Sequence, residues 1–215
     1  MIPLSSMDFE FHFFGKPFSK HFFEYGKVIE NFGANEYDKL IKGEGIYAIC
    51  SPDKNNNSSY LVYDIDGPED SGKTALSTVK KLKKYLESKE VKPTIFFSGN
   101  KGFHIYVFFD QKTQVDNLRK LAIKLLKGFN DYDKSLIEIE VFPKQFDIDY
   151  SKKKFGNHLK APLSKHPKTK ETSDQLTDYY LNDWFQFEPE FRDQSIFDKI
   201  DVEVLSKRIS PFFID

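Results

Sequence analysis

Two aspartates, Asp64 and Asp66, close the apolar run Tyr60-Leu-Val-Tyr-Asp-Ile-Asp66 and stand just ahead of Gly67-Pro68. On a strand, residues i and i+2 share a face, so these carboxylates converge at its end. Like charges this close are unfavourable unless a cation or a proton neutralises them. Magnesium or manganese, held between carboxylates and phosphate oxygens, is the economical partner. A surface Asp pair at a strand terminus is the plainer alternative, so the chemistry depends on what accompanies the pair.

Three segments accompany it. Ser98-Gly-Asn-Lys-Gly-Phe-His104 is a glycine-rich hairpin tip that exposes backbone N–H groups, with Lys101 adding a point charge. That combination suits phosphate. With the loop set at 99–103, Ser98 and His104 become opposite neighbours on one sheet face. Glu138-Ile-Glu-Val-Phe-Pro-Lys-Gln145 offers a third carboxylate, from Glu140 or Glu138, although Glu138 reads more readily as the polar side of a half-exposed strand. Gly156-Asn-His-Leu-Lys-Ala-Pro-Leu163, followed by His166, is a basic loop suited to closing over a triphosphate or a template backbone. The plainer alternatives are a solvated lysine for Lys101 and a hydrogen-bonded, half-buried ring for His104.

The elements that must position these residues follow from periodicity. Gly45–Cys50 and Tyr60–Asp66 read as strands separated by the polar turn 55–59. Thr74–Ser88 reads as an amphipathic helix, with Ala75, Leu76, Val79, Leu82 and Leu86 as its apolar stripe. Thr94–Ser98 and Phe103–Phe109 form a hairpin. Val115–Phe129 is a second helix, and Leu136–Phe142 alternates with period 2 until Pro143 ends it. This order implies an α+β fold whose helices pack on one face of the sheet. The first 40 residues are Phe-rich and yield no clear element order. Leu176–Asp183 and Val202–Arg208 read as helical.

Composition narrows the class. The 215 residues, 39% hydrophobic and with 23 Phe, can bury a core as one large domain or two closely packed ones. No apolar run nears the ~20 residues of a membrane span, and no signal peptide opens the chain, so no membrane is expected as a partner. The single cysteine, Cys50, excludes a disulfide framework and a Cys-based zinc site and fits an intracellular, cytoplasmic setting. A net charge of −1 gives no global basic footprint. From Lys152 to Lys170, however, there are seven lysines, two histidines and no acid.

As an ordered set, these residues resemble the archaeo-eukaryotic primase superfamily, the catalytic core of primase-polymerases. Leu61–Asp66 matches its Asp-x-Asp strand, Ser98–His104 its Ser-x-His-like hairpin, and Ile139-Glu140 its apolar-acid element. The stretches around Pro143-Lys144-Gln145 and Gly156–Leu163 resemble mobile-element and CRISPR-associated members in particular. The resemblance spans roughly Tyr47 to His166. It implies an RRM-like mixed or antiparallel sheet (about 59–215) beside an N-terminal α/β module (about 1–58), in a single catalytic domain that can be part of a longer protein. It also implies DNA-dependent primer synthesis and extension on a single-stranded DNA template from (d)NTPs, with two Mg2+ or Mn2+ ions and no zinc. Asp64, Asp66 and Glu140 would hold the metals, with His104 joining them in catalysis. Ser98, Lys101, His104, Asn157 and Lys160 would hold the nucleotide phosphates. The setting would be a prokaryotic, plasmid, phage or defence locus, with accessory helicase or defence-system partners.

Three rivals are weighed against this. Gly67–Thr74 formally matches the P-loop pattern between a strand and a helix. A phosphate cradle containing Glu69 and Asp70 beside Asp64 and Asp66 would nevertheless repel its anion. Asp64-Ile-Asp-Gly67 resembles the start of haloacid-dehalogenase-type phosphatases but has no convincing downstream acidic pair. A non-catalytic RRM-like nucleic-acid-binding module would use the aromatic strands and the lysines, yet would have no need of the two aspartates.

Overall fold

A computed structural model of the chain describes residues 11–13, 16–19, 22–24, 27–29, 35, 39–40, 42–50, 52–53, 55–69, 72–145, 157–173 and 175–176. Its elements are β1 (Phe11–Phe13), β2 (Lys16–Ser19), β3 (Phe22–Glu24), β4 (Lys27–Ile29), β5 (Tyr47–Cys50), β6 (Asn57–Asp66), α1 (Lys73–Ser88), β7 (Thr94–Phe97), β8 (Gly102–Gln114), α2 (Val115–Lys127), β9 (Glu138–Phe142), β10 (His158–Lys160) and β11 (Gln175–Leu176). The fold is α+β. A five-stranded sheet has the order β11-β7-β8-β6-β9, and a four-stranded sheet has the order β10-β5-β3-β4. β1 and β2 form a separate pair. Every neighbouring pair in these sheets is antiparallel.

From β6 to β9 the chain runs strand, helix, strand, strand, helix, strand, with β6 and β8 at the sheet centre. This is the split βαββαβ arrangement of RRM-like sheets. Period-2 alternation divides β6 between two cores. Leu61, Tyr63 and Ile65 pack with Leu82 and Leu86 of α1 and with Leu118 and Ala122 of α2. Tyr60 and Val62 point the other way and pack with Tyr47 and Ile49 of β5 and Leu159 of β10. Both faces of β6 are therefore covered, which is why it reads as a nearly continuous apolar run. Asp64 and Asp66 extend the Tyr60–Val62 row and are half-buried.

Several expectations shift. Residues 57–59 belong to β6 rather than to a turn. Leu136 is 52% exposed and precedes β9, which starts at Glu138. Leu176 lies on β11, paired with Ile95, where a helix was expected to start. The remaining residues of that expected helix, and all of 202–208, lie outside the described residues. The sheet is antiparallel throughout, so β6 lacks the parallel neighbours that carry P-loops and dehalogenase-type sites. Gly72 has its own explanation. Its φ is +87°, a conformation that suits glycine, and a Cβ there would lie 3.2 Å from the Phe103 ring.

The Tyr63 hydroxyl donates to Ala122 O at 3.1 Å and so ties β6 to α2 inside the core. Tyr63→Phe keeps the ring and loses this bond, so chemical denaturation should show a loss of about 0.5–1.5 kcal/mol. Leu82→Ala, at a fully buried position, should cost more, about 2–5 kcal/mol. Equal effects would contradict this account of the helix–sheet core.

Candidate active site

Strand register sets the site. Asp64 lies directly opposite His104 on β8 and Glu140 on β9. Asp66 lies opposite Gly102 and Glu138. Two rows thus cross the sheet on one face: His104, Asp64 and Glu140, then Gly102, Asp66 and Glu138. Directly opposite side chains stand about 4.5–5.5 Å apart at Cβ, so Asp64 neighbours Glu140, Asp66 neighbours Glu138, and all four carboxylates stem from one face of the sheet. Glu138 is as much a part of this cluster as Glu140, although it is exposed.

Electrostatics follow from this crowding. Burial pushes the Asp64 carboxyl up to about 7, helped by the charges of Asp66, Glu140 and Glu138 and opposed by Lys144. Burial also raises Asp66, with Glu138, Glu140 and Glu69 adding to it and Lys101 working against it. Glu140 Oε1 is 2.5 Å from Lys144 Nζ. The donor set, carboxylate oxygens alone, suits a hard divalent cation. Among the described residues, however, no three acid, histidine or cysteine side chains already stand as a cation cage.

Glycine at 102 makes room for Asp66. A Cβ there would press on Asp66 Oδ1 and lie 2.5 Å from Ile65 O. The hairpin is also tighter than expected. Ser98 N donates to Gly102 O at 2.9 Å, and Phe96 pairs with His104. Ser98 therefore opposes Gly102, not His104, because the loop is 99–101 rather than 99–103. Ser98 Oγ accepts from Gly102 N at 3.2 Å, which fixes the turn. Lys101 Nζ lies 3.9 Å from Glu69 Oε1.

His104 is 4% exposed. Its Nε2 is 3.4 Å from Asp64 Oδ1, and its Nδ1 has no hydrogen-bond partner among the described residues. Burial, with Lys160 and His166 nearby, lowers its pKa to about 3, so the imidazole is neutral. The approach to Asp64 is therefore not an ion pair. Lys160, on β10, donates to Ser164 O at 3.2 Å. A hairpin bridged at Lys165 and Thr172 follows and rests on the β7–β8 turn. Thr169 Oγ1 donates to Gly99 O at 2.5 Å, and Gly99, at φ +83°, faces Glu171 O and His166 Cβ.

The structure thus brings Asp64, Asp66, Glu138, Glu140 and His104 together, with Lys101 and Lys160 close enough to act on Asp66 and His104. Asn157 is bonded to Gln145, the neighbour of Lys144. Its N–H donates to Gln145 Oε1 at 2.7 Å, and its Oδ1 accepts from Gln145 Nε2. Sequence reading passed over Arg119 on α2, whose Nη1 donates to Val141 O at 3.1 Å and Pro143 O at 2.9 Å. The available signal was Pro143, since a strand ended by proline leaves carbonyls in need of donors.

The raised Asp64 sets a pH dependence. A carboxyl that ionises near 7 when folded and near 3.8 otherwise favours the fold below about pH 4 and loses that contribution as pH rises to 7. His104 acts oppositely, losing its contribution as pH falls from 6.5 toward 3. Asp64→Asn isolates the first effect. Its thermal midpoint relative to wild type should climb between pH 4 and 7 and level off above that; a flat difference would contradict the burial of this charge. Gly102→Ala should displace Asp66 and its backbone neighbour and lower the midpoint at every pH.

Comparison with known proteins identifies the family. A family profile described as "TOTE conflict system, Archaeo-Eukaryotic Primase domain" matches residues 18–187. No curated protein matches the chain. Among solved structures, the polymerase domain of Mycobacterium tuberculosis Ligase D in complex with DNA aligns at 18% identity, covering 63% of this chain and 52% of that one, with a TM-score of 0.41. The chain therefore spans about half the length of that structure. Among the described residues, no helix is long and apolar enough to cross a membrane. The profile match takes in β6, β8 and β9 with all four clustered carboxylates, and the chain belongs to the archaeo-eukaryotic primase family, as the primase domain of TOTE conflict systems.

Proposed function

We propose that the chain is a DNA-dependent primase-polymerase that makes and extends short primers on single-stranded DNA by nucleotidyl transfer from (d)NTPs. The observation that carries this reading is the register of β6 between β8 and β9, which aligns Asp64 with both Glu140 and His104 inside a primase-family domain. Asp64, Asp66 and Glu140 would hold two Mg2+ or Mn2+ ions, with Glu138 beside them. Two such ions supply activation of an attacking hydroxyl and charge stabilisation on the leaving pyrophosphate.

The chain's own residues supply the rest. Lys101 and Lys160 would offset phosphate charge, and the turn at 99–101 would offer backbone N–H groups. His104, buried and neutral, is a fixed polar group whose Nδ1 has no hydrogen-bond partner among the described residues. A neutral imidazole can meet a phosphate oxygen as an N–H donor without adding a charge that would compete for the carboxylates. Asn157, fixed by Gln145, would act by anchoring the basic segment. A defence-locus setting follows the family description, and a cytoplasmic location with helicase-type partners is part of the same proposal.

The test is primer synthesis on circular single-stranded DNA with labelled nucleotides and either metal. Short template-dependent products are expected, falling at least about 100-fold in Asp64→Ala, Asp66→Ala and His104→Ala. Lys160→Ala should chiefly raise the nucleotide concentration required. Synthesis retained in either aspartate variant would overturn the metal assignment. Extension of an annealed primer without synthesis on the bare circle would restrict the activity to polymerase.

A further inference from the structure

Lys144 carries an interaction that the proposed chemistry leaves unused. Its Nζ lies 2.5 Å from Glu140 Oε1 and 4.9 Å from the centre of the Phe142 ring. Lysine ordinarily sweeps a wide volume of solvent, and fixing it costs rotamer freedom. Here it is only 28% exposed, and the chain on both sides of it is held. Arg119 grips the carbonyls of Val141 and Pro143, and Gln145 is bonded to Asn157. Glu140 stands opposite Asp64 by register, yet its carboxylate is engaged by this ammonium.

We propose that Lys144 is a tethered counter-ion of the carboxylate rows, holding Glu140 until a divalent cation displaces it, and that it thereby sets how tightly such a cation binds. This rests on the reading of Asp64, Asp66 and Glu140 as cation ligands. The ammonium has three donors and no lone pair, so it cannot join a coordination shell. A divalent ion that takes Glu140 must therefore push Nζ away and then bear its repulsion. In the cation-free protein, the ammonium relieves the mutual repulsion of four carboxylates. Lys144 is thus a positioning residue, and the sign of its effect distinguishes this role from a merely structural one. Loss of a structural lysine would loosen β9 and weaken cation binding, whereas loss of a competing counter-ion strengthens it.

The experiment is calorimetric titration of the full chain with Mn2+ at fixed pH 8 and fixed ionic strength, paired with thermal midpoints with and without Mn2+. Lys144→Met should bind Mn2+ about three- to tenfold more tightly than wild type, the scale expected for removing one partly screened charge. Its cation-free midpoint should fall, and Mn2+ should raise it further than it raises that of wild type. Lys144→Gln, which keeps length and polarity, should move the affinity in the same direction and guards against a folding defect. Lys120→Met, which breaks an exposed pair with Asp116 on α2, should leave Mn2+ affinity unchanged. Unchanged or weaker binding in both Lys144 variants, while Asp64→Asn abolishes it, would overturn the counter-ion role and leave the carboxylate reading standing. No Mn2+ binding by wild type would overturn both.

Discussion

Four carboxylates crowd one face of the sheet because of how β6 is paired. It is the strand to which both β8 and β9 are bonded, and register places Asp64 and Asp66 level with Glu140 and Glu138. The repulsion this creates is the term the surrounding structure answers. Gly102 leaves out the side chain that would occupy Asp66's space. Lys101 and Lys144 lean toward opposite ends of the cluster. His104, alongside Asp64, is kept neutral by burial, so it borders the cluster without adding a charge to it. A cluster so arranged is eased by any positive charge brought near it.

Placement of the charges depends on the two cores. The helix-side core fixes β6 through Leu61, Tyr63 and Ile65, and the core between the sheets fixes it through Tyr60 and Val62. A one-residue slip would exchange the two faces and carry both aspartates into the helix layer. Register is therefore specified by apolar packing on both sides, and the charges inherit their position from it.

Much of this was legible in the chain because β6, α1, β7, β8, α2 and β9 each carry their own periodicity. Period 2 alone set Asp64 with Asp66 and Glu138 with Glu140. The tightness of the β7–β8 turn was not legible, since it depends on Gly99 at positive φ meeting the later hairpin at His166 and Glu171. Glu138 was underweighted because nothing local shows that it lies opposite Asp66. Nothing local marks the contacts of Lys144 and Arg119 until β9 and α2 are placed side by side. The four-stranded sheet was the least readable part. Its described strands are three or four residues long, too short to establish a period.

That sheet has a consequence for how the molecule is assembled. β5 finds its partner β10 only after β6 through β9 have intervened, and Tyr47 N reaches Ser164 Oγ across 117 positions of chain. Pairings this distant close slowly, since loop entropy is lost before the contact is gained. During synthesis the RRM-like unit is complete once α2 and β9 have emerged, while its second apolar face, with Tyr60, Val62 and Phe96, still lacks β10. A nascent chain at that stage carries its aspartates in register beside an open, sticky layer. The segment that brings Lys160 beside His104 is the same one that seals this layer, so the basic side chain and protection from aggregation arrive in a single late step.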